Sequence, residues 1–234
     1  MARERSSPPP LVSAPRAGIL FLMPPIVIFD LGNVLIHYCP GPALAEIQRR
    51  TGLGAWRIRW HLHRAGIRGL GDGSVAADHF LGEINRRLRL SMTVRELSDI
   101  WGLDLPGPVA GMLEWLEEIR GQTRVAILSD TNIFHWQSLM RRYPALTSVP
   151  EIILSFEAGL RKPDARLYRH AEQRRGVSDG NLPPGDLLYF DDRVENIRAA
   201  KTRGWDAHLF RDAAAARAVW ENRRAAGINT ASVR

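Results

Sequence analysis

The sequence predicts an α/β fold, a parallel sheet flanked by helices, with a small helical module inserted after the first strand. Three observations lead there. From residue 109 onward, short apolar runs alternate with amphipathic helical patterns across short connections, the rhythm of a parallel sheet with helices on both faces. Residues 38–104 carry helical periodicity and no strand signal. Several apolar runs end on a carboxylate or hydroxyl, at the strand edge where such sheets bind ligands.

The first strand lies in "IVIFDLGNVLIH", residues 26–37. Its apolar run halts at Asp30, and Gly32 and Asn33 follow. A bare charge ending a buried strand is costly unless it is paired or binds a cation. The next elements are helical. "PALAEIQRRTG" sets Ala43, Leu44 and Ile47 on one side and offers Gly52 as a stop. "AWRIRWHLHRAGI" brings Trp56, Trp60, Leu62 and Ile67, with the aromatic residues of this region expected in its core. "SVAADHFLGEINRRLRL" opens on Ser74 as cap and spaces Val75, Phe80, Leu81, Ile84 and Leu88 at helical intervals. Thr93 and Glu96 in "TVRELSDIWGL" form a capping-box pattern. "GLGDGSVAADHF", with Gly71 and Gly73, is a candidate edge for a ligand pocket.

Beyond Val109 the pattern alternates. "PVAGMLEWLEEIRGQ" is an amphipathic helix. "RVAILSD" is a strand ending on Ser129 and Asp130, and "FHWQSLMRRY" is a helix. "EIILSF" is a strand, followed by Lys162 in a loop and by "PDARLYRHAEQRRG", a helix with Pro163 at its start. "DLLYFDD" is a strand ending on Asp191 and Asp192. "RVENIRAAKTRG" is a helix closed by Gly204, and "DAHLF" is a last short strand. The organisation expected is an extension over 1–24, a core over 25–37 and 105–234, and a helical insert over 38–104.

Composition narrows the function classes. The chain has 234 residues, 45% hydrophobic and 24% charged, enough for a sizeable core and inconsistent with a disordered body. One cysteine, Cys39, excludes an internal disulfide framework and fits a reducing cytoplasm. The net charge of +7 comes from scattered Arg rather than a massed basic block. No zinc spacing, RNA-binding aromatic signature or helix-turn-helix pattern occurs, so nucleic acid is not an expected partner. The apolar run "AGILFLM" is too short to span a bilayer, and no membrane association is expected. Residues 1–24 read as a flexible tail, with Met23 as the expected natural start.

The chemistry follows from the strand ends. Asp30, Ser129, Asp130, Asp191 and Asp192 share one rim with Lys162. Carboxylates tolerate such proximity when a divalent cation lies between them, and hard oxygen ligands suit Mg2+. A Lys and a Ser hydroxyl can hold phosphate oxygens, and a carboxylate in line with phosphorus can act as nucleophile.

"FDLGNVL", "LSDTN", "RKPDARLY" and "FDDRVENI", in this order, resemble the four motifs of the haloacid dehalogenase superfamily over roughly residues 26–210. The "DLGNV" opening is similar to that of sugar-phosphate phosphatases such as the α-glucose-1-phosphate group. The resemblance implies a Rossmann-like core with an inserted cap over 38–104. It implies a Mg2+-dependent phosphatase acting on a small phosphorylated metabolite, with a sugar phosphate among the candidates. By position, Asp30 would be the nucleophile. Asp30, the Gly32 carbonyl and Asp192 would bind Mg2+, with Asp191 supporting or sharing the ion. Ser129 and Lys162 would hold the phosphoryl group beside Asp130, and Asn196 would orient the last motif. Thr131, Asn132 and His135 match the family's "SNTNxxH"-like run. Two departures stand out. Gly32 occupies the position where most phosphatases of the superfamily have a second Asp, leaving metal-bound water, His37 or His135 as proton donors. Asp130 stands where Asn is common, which requires it to be protonated, turned away, or paired with Arg161 or the metal. Two other classes remain open: a metal-independent dehalogenase using the same Asp30, and a binding protein on a degenerate enzyme fold.

Overall fold

The computed structural model describes residues 25–174 and 184–231. The N-terminal extension and Met23 lie outside these residues. Five strands, β1 (Ile26–Phe29), β2 (Val125–Ser129), β3 (Glu151–Leu154), β4 (Leu187–Asp191) and β5 (Asp206–Leu209), pair in parallel in the order β3-β2-β1-β4-β5. The chain runs from β1 toward β3 on one side and returns to β4 and β5 on the other. The crevice between β1 and β4 is therefore the switch point, where sheets of this kind receive ligands.

The strands read as unbroken apolar runs because both sheet faces are covered. Val27, Phe29, Ile127 and Phe190 face α6 (Met112–Arg120), α7 (Ile133–Arg142) and α11 (Ala213–Ala231), against Trp115, Leu139 and Trp220. Ile26, Ile28, Leu128 and Tyr189 face α9 (Ala165–Arg174) and α10 (Val194–Thr202), against Tyr168 and Ile197. Helix α11 follows the last strand that the sequence pattern brought out, and Trp220 is its anchor in the core. None of the helices in the described residues is long and apolar enough to cross a membrane.

Between β1 and α6 lies the helical cap: α1 (Pro42–Thr51), α2 (Ala55–Arg64), α3 (Ile67–Gly71), α4 (Ala77–Leu88) and α5 (Val94–Trp101). Its own core holds Ile47, Ile58, Phe80, Ile84, Leu97 and Trp101. Gly52 ends α1 in the left-handed conformation, and Thr93 and Glu96 form the full reciprocal capping box of α5. The cap is fixed to the sheet domain on two flanks of the cavity described below. On one, Phe134 of α7 enters the cap core, Ser98 Oγ donates to Gln137 Oε1 at 2.9 Å, and Arg141 pairs with Asp99 at 2.6 Å. Gly102 permits this approach, since a Cβ there would lie 2.1 Å from Ser138 Oγ. On the other, Gly73 (φ +73°) packs against the Phe156 carbonyl, leaving no room for a side chain.

Four local expectations are corrected. Trp56 and Trp60 are exposed, at 72% and 52%, because Ile58 and Ala65 take the inward face of α2 and leave the two indoles on the opposite side. Ser74 does not cap α4; its hydroxyl bonds Asp72 at 2.6 Å, and Ala76 is the N-cap residue. The strand expected through Phe156 stops at Leu154, and Ser155 opens the short helix α8 (Ser155–Ala158). There Ser155 Oγ donates to Gly71 O and accepts from Thr131 N, drawing the chain out of the sheet. Pro163 precedes α9 by two residues after a cis Lys162–Pro163 bond, and Asp164 Oδ1 accepts the Arg166 N–H in the capping manner.

Candidate active site

The four sequence motifs meet at the carboxyl ends of β1, β2 and β4. Asp30 follows β1 directly, and its N–H bonds the Phe190 carbonyl at 2.9 Å, which fixes it beside the end of β4. Pairing of Phe29 with Phe190 puts Asp30 alongside Asp191. Carboxylate oxygens of Asp30, Asp191 and Asp192 all lie within 4.8 Å of one another.

Lys162 enters from the loop after α8. Its Nζ lies 2.8 Å from Asp30 Oδ1 and 2.7 Å from Asp191 Oδ2, and it donates to the Leu128 carbonyl at 3.1 Å. The ammonium is almost completely buried, so the two carboxylates take the place of its hydration shell. Asp191 is the better satisfied of the pair. It accepts from the Tyr189 hydroxyl, from Asn196 Nδ2 at 2.9 and 3.0 Å, and from Arg193 N at 2.8 Å. Burial opposes its charge, but Lys162 and these donors outweigh burial and hold its carboxyl below the ordinary range. Asp30 has fewer donors, chiefly Lys162 and the Leu31 N–H at 2.7 Å. Burial, reinforced by the neighbouring Asp191 charge, pushes its carboxyl up to about 7 against the pull of Lys162. One cation between two buried carboxylates leaves an excess negative charge, and Asp30 is where that excess is felt.

Asp192 is half-buried and points to the other side, accepting from Asn33 Nδ2 at 3.0 Å. Asn33 sits at φ +55° in the turn after Asp30, and its Oδ1 accepts the Tyr38 N–H at 2.9 Å. The donor set fits a hard divalent cation. Asp30 and Asp192 retain free acceptor capacity, whereas the oxygens of Asp191 are engaged by Lys162, Tyr189, Asn196 and Arg193. Gly32 lines the same cavity, and a Cβ there would meet only Tyr38 Cβ at 3.8 Å.

Asp130 is turned away from the carboxylate cluster. Its Oδ1 accepts the Lys162 N–H at 2.9 Å, and its Oδ2 lies 3.5 Å from Arg161 Nε. Of the alternatives set out for it, turning away and pairing with Arg161 are both present, and Asp130 fixes the loop that delivers Lys162. Ser129 is buried at the end of β2 and lines the cavity.

The two histidines part company. His37 is exposed and does not line the cavity. His135 does line it. Asn132 caps α7, with its Oδ1 accepting from Phe134 N and His135 N, so its Nδ2 must be the donor to His135 Nδ1 at 2.9 Å. His135 is therefore the Nε2–H tautomer. Burial pushes its pKa down to about 4, partly offset by the Trp101 backbone, and Nε2 is sealed from solvent.

The cavity over the carboxylates encloses about 450 Å3, within the range of about 300–1,000 Å3 usual for small-molecule sites. Sequence reasoning located its floor. It missed Tyr189, whose signal was a Tyr two residues before Asp191 and hence on the same strand face, needing a hydroxyl partner when buried. It also missed Asn33 and Tyr38. Of the two glycines offered as a pocket edge, Gly71 lines the cavity and Gly73 packs against the sheet domain.

Comparison with known proteins agrees with this geometry. The family model of haloacid dehalogenase-like hydrolases matches residues 25–204. A D-ribitol-5-phosphate phosphatase of Bacteroides thetaiotaomicron is 23% identical over 188 residues, covering 77% of this chain and 88% of that enzyme. A drimenol cyclase of Aspergillus calidoustus is 25% identical over 190 residues, covering 79% of this chain; the chain spans about a third of that protein, 33% of its length. Among solved structures, a HAD family enzyme of Bacteroides thetaiotaomicron superposes with a TM-score of 0.70 at 18% identity, covering 81% of this chain and 95% of that one. A structure of the same enzyme with magnesium and inorganic phosphate gives 0.68 at 19% identity, covering 80% and 94%.

Proposed function

Because the chain belongs to the haloacid dehalogenase-like hydrolase family, we propose that it hydrolyses the phosphate monoester of a small metabolite, with Asp30 as nucleophile. The observation that carries this reading is the buried array in which Lys162 bridges Asp30 and Asp191 while Asp192 closes a three-carboxylate cluster under a cavity.

Asp30 attacks phosphorus, the bond from phosphorus to the leaving oxygen breaks, and an aspartyl-phosphate forms on Asp30. Water then attacks that phosphorus, releasing phosphate and restoring the carboxylate. Lys162 neutralises the phosphoryl oxygens and the nucleophile together, and the Ser129 hydroxyl holds one equatorial oxygen. Asp191, gripped by Tyr189 and Asn196, holds Lys162 in place. Asp30, Asp192 and the Gly32 carbonyl would hold Mg2+, with Asp191 behind them. When bound, the ion neutralises charge that spreads over the transferring group. His135 is neutral near pH 7 and its Nε2 is sealed, so the leaving alcohol takes its proton from solvent. General acid catalysis is typically worth ~10²–10⁴ in rate, so turnover of poor leaving groups is slow.

The test is turnover of p-nitrophenyl phosphate and a panel of sugar, polyol and alkyl phosphates with Mg2+ and with EDTA. Metal-dependent phosphate release, lost on the order of 10⁴-fold or more in Asp30→Asn, is the expected result. EDTA-insensitive halide release from a haloacid would overturn it in favour of dehalogenation.

A further inference from the structure

The wall that the cap contributes to the cavity is almost entirely apolar. Ala43, Leu44 and Ile47 come from α1, Leu62 from α2, Ile67 from α3 and Trp101 from α5. Leu44, Leu62 and Ile67 are only half-buried, so they leave hydrocarbon facing the cavity that no protein group covers. The polar cap residues on this wall are Asp104 and Tyr38. Asp104 is engaged through one oxygen, since its Oδ1 accepts from Gly41 N at 3.1 Å and Ala43 N at 2.9 Å, the first turn of α1. Across the gap, Leu105 and Leu139 add more hydrocarbon, and His135 offers its ring with Nδ1 held by Asn132 and Nε2 sealed.

We propose that the leaving group is an apolar alcohol, an alkyl, prenyl or aryl residue, rather than a sugar or polyol. This rests on the phosphatase reading above and concerns the half of the cavity away from the carboxylates. A polyol carries several hydroxyls that each lose water on entry, and each one left without a partner weakens binding. Of the cap's own polar side chains on this wall, only the Tyr38 hydroxyl and Asp104 Oδ2 are offered; the Arg161 guanidinium, which reaches Gly71, is tied toward the floor through its Nε to Asp130. An apolar chain instead covers Leu44, Leu62 and Ile67 and gains about 25 cal/mol for each Å2 removed from water. A charged floor under a mostly apolar roof fits a substrate with one anionic end and one hydrocarbon end.

The experiment measures kcat/KM with Mg2+ for ethyl, butyl and hexyl phosphate against ribitol 5-phosphate, all esters of primary alcohols. The unsubstituted protein suffices, so nothing depends on a variant folding. kcat/KM is expected to rise about fourfold for each added methylene, and hexyl phosphate to exceed ribitol 5-phosphate at least tenfold. Leu62→Asn should flatten the dependence on chain length. Turnover of p-nitrophenyl phosphate with no chain-length dependence, or with ribitol 5-phosphate preferred, would overturn this inference and leave the phosphatase reading intact. No turnover of any monoester would overturn both.

Discussion

The floor and the roof of the cavity use polar groups in opposite ways. At the floor, the sheet edge buries Asp30, Asp191 and Lys162 together and leaves an excess charge unbalanced. At the roof, the cap ties up its polar atoms internally, as Asp104 does at the start of α1, and turns aliphatic side chains to the cavity. The difference teaches where each property resides. On the proposed reading, reactivity comes from strand ends, where the backbone fixes a carboxylate to its neighbour through ladder hydrogen bonds. On the same reading, selectivity comes from helix faces, where a residue of the same size and polarity can serve the core or the cavity. The floor stores instability for the sake of chemistry, and the roof does not.

Substitutions at the floor should therefore show the largest effects. Lys162→Met leaves two buried carboxylates facing each other without a cation, a change that typically costs about 3–5 kcal/mol. At two to four degrees per kcal/mol for a chain of this size, the melting temperature should fall by roughly 6–20 °C. The deficit should be smaller at pH 5 than at pH 8, because protonating Asp30 removes the repulsion. Thermal melts at both pH values check this, and an equal deficit at the two would separate Lys162 from the charge of Asp30.

Asp30→Asn should act in the opposite direction on stability while abolishing turnover. The folded-state pKa of Asp30 is raised from 3.8 to about 7, so the native state binds the proton more tightly than the unfolded state. The stability associated with that proton is fully present below about pH 4 and is lost as pH rises through 7. In EDTA at pH 8 the variant, which has no charge to bury, should be more stable than the parent by a few kcal/mol at most. At pH 4 the two should coincide. Adding Mg2+ should raise the melting temperature of the parent and leave Asp30→Asn nearly unmoved, since a ligand stabilises only a state that binds it. A variant less stable than the parent at pH 8 would contradict the strain assigned to the floor.

The legibility of the sequence follows the same division. Asp30, Ser129, Asp191 and Asp192 were visible because a polar residue ending an apolar run breaks a strong pattern, and three such breaks, with Lys162 in the loop before the third, resemble one family in their order. The strand identities were visible for the same reason. Partners within the site were less so. That Asp191 anchors Lys162, and that Asp130 braces its backbone, depends on a side chain arriving from a loop more than thirty residues from Asp130. The cap was legible as helices but not as a wall. Helical periodicity shows that Ile58 and Leu62 share a side of α2, and it cannot say that one meets the cap core while the other meets a cavity. Trp56 and Trp60 misled for a related reason, since large aromatics suggest burial whatever face they occupy.

Smaller tests lie away from the carboxylates. Asn132→Ala removes the side-chain oxygen that caps α7 and the amide that fixes His135, and should cost about 1 kcal/mol, up to 2. Chemical denaturation gives this directly. Loss of the amide also frees Nδ1 of His135.

The smallest effect is expected on the outer face of the cap, and it is informative because the same residue type stands on both faces. Trp101 lies in the cap core against Phe80 and Phe134, with ring centroids 6.2 and 6.3 Å away. Its truncation to Ala should cost about 3–5 kcal/mol, as for other buried aromatics. Trp60 packs edge-on against His61 and is otherwise half in solvent. Trp60→Gln keeps helix propensity and should stay within about 0.5 kcal/mol of the parent. Measured by the same urea titration, the two substitutions weigh one indole against another in a single small module. A loss at Trp60 approaching that at Trp101 would mean that the outer face of α2 is covered in solution, and the division of the cap into an inner and an outer face would have to be redrawn.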